Sequence, residues 1–135
     1  MKLIELVNSV EALNKLSEAK LPAYVSFSLG KFLKDITSDI ETYNKVKSEK
    51  IVEYGTVVLD EEGKEKVNED GNKTYSFSIP GTTELTENGK KFIEEMTEIE
   101  EREVDVKIPE IKIESLGEVT IEPKYLVTLS WLIKE

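Results

Sequence analysis

Leu3, Leu6, Val10, Leu13 and Leu16 recur at spacings of three and four, and Ile4 and Val7 widen the stripe they make. That period predicts an amphipathic helix over residues 3–18. Pro22 stops it or opens the next element. The stretch AYVSFSLG, residues 23–30, fits two periods at once. Val25, Phe27 and Leu29 alternate with Ser26 and Ser28, which is strand spacing. Val25 and Leu29 also begin a helical stripe that continues through Phe32, Ile36, Ile40 and Tyr43. Gly30 would cost about 1 kcal/mol inside a helix, and a long helix tolerates that. Pro22 suits a first turn, where its missing N–H is not needed. The unbroken stripe favours one helix from Ala23 to Tyr54, roughly 45–50 Å long, ended by Gly55.

The next segment, TVVLDEEGKEKVNEDGNKTYSFSIPG, has no helical stripe. Val57 and Leu59 alternate on one side of two turn signals, and Tyr75, Phe77 and Ile79 on the other. Asp70-Gly71 predicts a hairpin reversal of type I′, in which both central residues take positive φ. Pro80-Gly81 breaks the second strand. A second helix is expected from Thr83 to Arg102, with Leu85, Phe92, Met96 and Ile99 on one face and Thr82 or Thr83 as cap. Val104, Val106, Ile108, Ile111 and Ile113 predict short strands, and Pro123 to Lys134 a last helix. No internal repeat is evident. The expected fold class is α+β, in a single domain spanning 1–135. It comprises a long antiparallel helical pair joined by a β-hairpin, with a small sheet and terminal helices. Its seam would set Phe32, Ile36, Ile40 and Tyr43 against Phe92, Met96 and Ile99.

Composition narrows the chemistry. Of 135 residues 34% are charged, above the usual quarter, which suits an elongated, surface-rich shape. There is no cysteine and no histidine. Disulfides, thiolate metal sites and thiol nucleophiles are thereby excluded, as is the commonest general base. No apolar run reaches the length of a membrane span, and polar residues interrupt the N-terminal stripe too often for a signal peptide. The expected setting is a reducing cytoplasm. The net charge is −10, and residues 51–100 carry −8 of it. Such a surface repels phosphates, so direct nucleic-acid binding is not expected.

Three patterns invite a chemical reading. KVNEDGNKTYSF, residues 66–77, sets Asn68, Asp70 and Gly71 at calcium-loop positions. It also sets Lys66 first and Phe77 last, where oxygen ligands belong, so it reads as a turn. Glu110-Ile111-Lys112 has the E-x-K spacing of metal-dependent nucleases without their further acidic residue, and reads as the solvent edge of a strand. The densest acidic run is Glu94, Glu95, Glu98, Glu100, Glu101, Glu103 and Asp105. It is either a carboxylate ridge imitating nucleic-acid phosphates or a solvated helix face with Glu98 paired to Arg102. Glu94, Glu95, Glu98 and Glu101 are the candidate partner-binding residues. No catalytic, cofactor-binding or metal-ligating residue is assigned, and an enzyme is not expected.

The segments NSVEALNKLSEAKLPAYVSFSLGKFLKDI, ETYNKVKSEKIVEYG, EDGNKTYSF and IEPKYLVTLSWLIKE cover most of the chain. Their order resembles an uncharacterised family of small proteins encoded by tailed phages and prophages of Gram-positive bacteria. The resemblance implies a phage or prophage origin and a place in the host bacterial cytoplasm or on the virion. It brings no functional residue with it. The expected function is a non-catalytic accessory protein that binds another protein, such as a virion component of the tail or baseplate. The alternative is an acidic anti-defence inhibitor that fills the basic nucleic-acid groove of a host immune nuclease. Self-association is compatible with either.

Overall fold

Ser9 divides the first apolar stripe into two helices, α1 (Leu3–Asn8) and α2 (Val10–Glu18). The backbone tightens there, because the Ser9 N–H donates to Leu6 O, three residues back, at 3.1 Å. The Ser9 hydroxyl donates to Glu5 O at 2.7 Å and accepts from Trp131 Nε1–H at 3.1 Å. Ser9 is buried, so these bonds remove the desolvation cost its hydroxyl would otherwise carry. The expected single helix over 3–18 is thus two helices with a hydrogen-bonded corner.

The remainder of the computed structural model, which describes residues 1–135, mixes helices with two small sheets. Helix α3 (Ala23–Tyr54) runs without a break, and the helical period, not the alternating one, governs residues 23–30. After it come strands β1 (Thr56–Val57) and β2 (Tyr75–Ser76), helix α4 (Glu87–Glu100), strand β3 (Ile111–Lys112) with a short 3-10 helix, Ile113–Leu116, then helix α5 (Pro123–Thr128) and strand β4 (Ile133–Lys134). No helix is long and apolar enough to cross a membrane. The chain divides into two compact units, Met1–Glu41 with Glu101–Glu135, and Thr42–Glu100.

The first unit is built around one apolar core. Leu6, Leu13, Leu16, Val25, Leu29, Phe32, Ile36, Leu129 and Leu132 are buried together, and Ile40 packs half-buried beside them. The Phe32 and Trp131 rings meet at 5.8 Å, tilted by 54°. The last apolar run serves two elements. Helix α5 stops at Thr128, the backbone turns through Ser130 and Leu132, and β4 then pairs in parallel with β3, Ile111 beside Ile133. A helix continued to Lys134, as the sequence predicts, would deny β3 its only partner strand. Residues 104–110 form no strand of their own. Val104 N–H donates instead to Met1 O at 2.9 Å, and Leu3 N–H to Arg102 O at 2.8 Å.

In the second unit β1 pairs antiparallel with β2, Val57 opposite Tyr75. Between them the chain makes two further hairpins instead of one. Val58 N–H donates to Thr74 O, Lys66 N–H to Val58 O, and Thr74 N–H to Lys66 O, at 2.8, 2.8 and 2.9 Å. Three backbone segments eight residues apart thus close a ring. The two turns that leave it use one device. Asp60 and Asn68 each accept two backbone N–H bonds on a side-chain oxygen, from Glu62 and Lys64 and from Asp70 and Asn72, at 2.9–3.0 Å. Gly63 and Gly71 follow with φ of 78° and 81°. DEEGK and NEDGN are therefore the turns of two copies of one eight-residue unit, an internal repeat where none was expected. The Asp70-Gly71 reversal is also a different turn. Only the glycine has positive φ, so the loop has three residues, Glu69 to Gly71, closed by Asn68.

Helix α4 starts at Glu87, not Thr83. Pro80-Gly81 makes a tight turn with Gly81 at φ 78°, and Thr86 caps α4 by accepting from Gly89 N–H at 2.9 Å. Gly89 lies against the chain, since a Cβ there would come within 2.3 Å of Phe77 O. The expected seam is distributed differently. Phe32 and Ile36 belong to the first unit's core, Tyr43 and Met96 are buried in the second, and Phe92 stacks on Phe77 at 4.3 Å.

Two glycines should respond oppositely to alanine. Gly30 sits within α3 with open space where its Cβ would go, so Gly30→Ala should stabilise by about 0.5–1 kcal/mol. Gly71 has open space too but a left-handed backbone, so Gly71→Ala should cost about 1–2 kcal/mol. Urea unfolding of both variants measures the signs, and equal signs would contradict these backbone assignments.

Candidate functional site

The four candidate carboxylates do not form one ridge. Glu94 and Glu98 stand one helical turn apart on α4, both exposed and without an ion-pair partner. Glu95 turns toward α3. Its Oε2 is sealed from solvent with no hydrogen-bond donor, and the Lys50 ammonium, at 3.5 Å, is the nearby counter-charge. Lys50 also binds Glu53 at 2.9 Å, and that bond chiefly raises its pKa. The Tyr54 phenol is likewise raised, first by its interaction with Glu95. Glu101 lies beyond the end of α4, ion-paired with Lys2. That pairing is the main cause of the raised Lys2 pKa.

The neighbours of these residues are paired as well. Glu103 meets the Met1 ammonium at 2.7 Å, which lowers its own pKa. Glu100 accepts a 2.6 Å bond from the Tyr43 hydroxyl. The expected Glu98–Arg102 pair does not form, because α4 ends at Glu100 and Arg102 no longer sits one turn along the same helix. The exposed carboxylates of the run that lack an ion-pair partner are thus Glu94 and Glu98 on α4 and Asp105 beyond it. No group of three or more acidic side chains is arranged to hold a metal ion.

A different surface escaped the sequence reading. Leu59 and Val67 are 57% and 56% exposed, and they occupy equivalent places in the two repeated units, each just before its turn. The turns beside them carry Asp60, Glu61, Glu62, Glu69 and Asp70. The signal that marks them is the eight-residue spacing of Leu59-Asp60 and Val67-Asn68 ahead of their glycines. Elsewhere a groove of about 110 Å³ lies against α2 and α3, lined by Val10, Leu13, Leu33, Ile36 and Ile40 with Asn14, Thr37 and Glu41 at its polar positions. Those groups supply neither a nucleophile–base pair nor converging charges.

Comparison with protein-family models, with curated proteins and with solved structures gives no match for this chain.

Tyr43 makes the acidic helix end sensitive to alkali. Burial, helped by the Glu100 bond, pushes its phenol from 10.0 up to about 12. The folded state then holds this proton more tightly than the unfolded chain. Its stabilising contribution is complete below pH 10.0 and is lost as the pH rises through about 12. In a phenolate absorbance titration, Tyr43 should ionise in a late step near pH 12. Tyr43→Phe should remove that late step and flatten the loss of stability in the same window.

Proposed function

We propose that this chain is a non-catalytic, phage-encoded accessory protein that acts by binding another protein, a tail or baseplate component of the virion. The observation that carries the reading is the pair of exposed aliphatic side chains, Leu59 and Val67, held on hydrogen-bonded turns. Exposed apolar groups on an ordered support are what protein partners cover. The finer architecture belongs to the same proposal. The second half of α3 and α4 would form an antiparallel pair tipped by the β-hairpins. The order of their links supports it, since Tyr43 meets Glu100 while Lys50, further along α3, meets Glu95, earlier on α4. The resemblance to phage and prophage proteins supplies the setting, the host bacterial cytoplasm or the assembled virion. Affinity capture from phage-infected cells, read by mass spectrometry, should return a tail or baseplate protein. Recovery of a host nuclease, or of nothing above background, would go against this assignment.

A second reading is favoured by one separate observation, the unpaired Glu94–Glu98 pair. On this reading the chain is an anti-defence inhibitor that fills a basic nucleic-acid groove of a host immune nuclease. Glu94→Gln with Glu98→Gln removes two charges and keeps helix propensity. The double variant should fold as before. It should bind such a nuclease with a slower on-rate and a shallower salt dependence. An unchanged rate at low salt would leave these carboxylates as a solvated face.

A further inference from the structure

Alternation along the three short segments sorts their side chains onto two faces. The pairs Val57–Tyr75, Leu59–Glu65 and Val67–Lys73 face each other across the hairpins, and residues two apart share a side. One face therefore collects Val57, Leu59, Glu65, Val67, Lys73 and Tyr75. The Glu65–Lys73 ion pair at 3.2 Å, which links two different hairpins, is the contact expected of that grouping. Because the hydrogen-bond ring repeats every eight residues, Leu59 and Val67 are presented alike, as two aliphatic knobs on one small platform. Residues 57–75 hold six carboxylates and three lysines. Lys73 and Lys64 are engaged with Glu65 and Glu62. Glu61 and Glu69, at matching positions of the two turns, are exposed and unpaired.

We propose that this hairpin face is a docking surface for a protein segment in which apolar side chains are flanked by lysine or arginine. The apolar residues would cover Leu59 and Val67, and the flanking cations would meet Glu61 and Glu69. Charge decides the class of partner. A second copy of this chain, at net −10, would bring acidic turns against acidic turns, and a nucleic acid would be repelled by the same carboxylates. The inference rests on the protein-binding reading above and specifies its surface.

The test uses a random peptide library displayed on filamentous phage, selected on the folded full-length chain. The expected outcome is enrichment of peptides that combine aliphatic or aromatic residues with flanking Lys or Arg. Leu59→Ser with Val67→Ser should weaken such a peptide about tenfold or more. Glu61→Lys with Glu69→Lys should weaken it several-fold and reduce its salt dependence. Amide shifts caused by the peptide in the unmodified protein should fall within residues 57–75, which keeps the test valid if a variant folds poorly. Enrichment of acidic peptides, shifts confined to other residues, or no enrichment at all overturns the proposal. The capture experiment stands apart from these outcomes. A virion protein retained by both double variants would keep the protein-binding reading and remove this surface from it.

Discussion

A helix of 32 residues survives in water only if its apolar stripe is covered, and the stripe of α3 is covered unevenly. Val25, Leu29, Phe32 and Ile36 are buried in the first unit's core, a run of spacings of four and three that a straight helix can hold against one set of neighbours. Beyond Glu41 the same helix buries only Tyr43, and polar residues such as Asn44, Lys45 and Glu49 dominate the next turns. The first half is thus held by apolar area. The second depends on directed contacts, Tyr43 to Glu100 and Lys50 to Glu95. Hydrogen-bonded and charged contacts of this kind contribute less than packed area, and they respond to pH and salt.

That dependence explains where the acidic residues went. A run of seven acidic residues in twelve positions looks, in sequence, like one electrostatic object. In the fold its members are assigned to different tasks. Glu95 and Glu100 hold α3, while Glu101 and Glu103 hold the N-terminal segment. Glu94, Glu98 and Asp105 take part in neither task and stay exposed, and of these Glu94 and Glu98 lie four apart on one helix face. Counting charges along the chain overstates a binding surface wherever the fold has already neutralised part of it.

Legibility follows the same physics. α3 was readable to its end residues, because a long stripe averages over the one conflicting glycine and Gly55 supplies a stop. The start of α4 was not. Three residues with cap chemistry, Thr82, Thr83 and Thr86, lie close in series, and the choice among them is made by Phe77. Its carbonyl accepts from Thr86 N–H at 2.9 Å, a contact between positions nine apart that no local rule contains. The corner at Ser9 was hidden similarly, since its hydroxyl is occupied by Trp131 from the far end of the chain. Leu129 and Leu132 lie three apart, a spacing compatible with a helix continued or a tight turn, and only the pairing of Ile133 with Ile111 decides between them.

The repeated turn is the instructive omission. Read singly, DEEGK and NEDGN are ordinary reversals, and their strands are too short to pass as strands. Two-residue strands gain few ladder bonds, so isolated hairpins of this size would not be stable in water. The ring at Val58, Lys66 and Thr74 changes that balance, because each segment satisfies one neighbour with its N–H and the other with its carbonyl. Backbone bonding therefore orders the segment without needing a buried apolar cluster between the turns. Leu59 and Val67 are consequently not required inside, and a folded protein that leaves two aliphatic side chains outside on a rigid support has them free for a contact with something else.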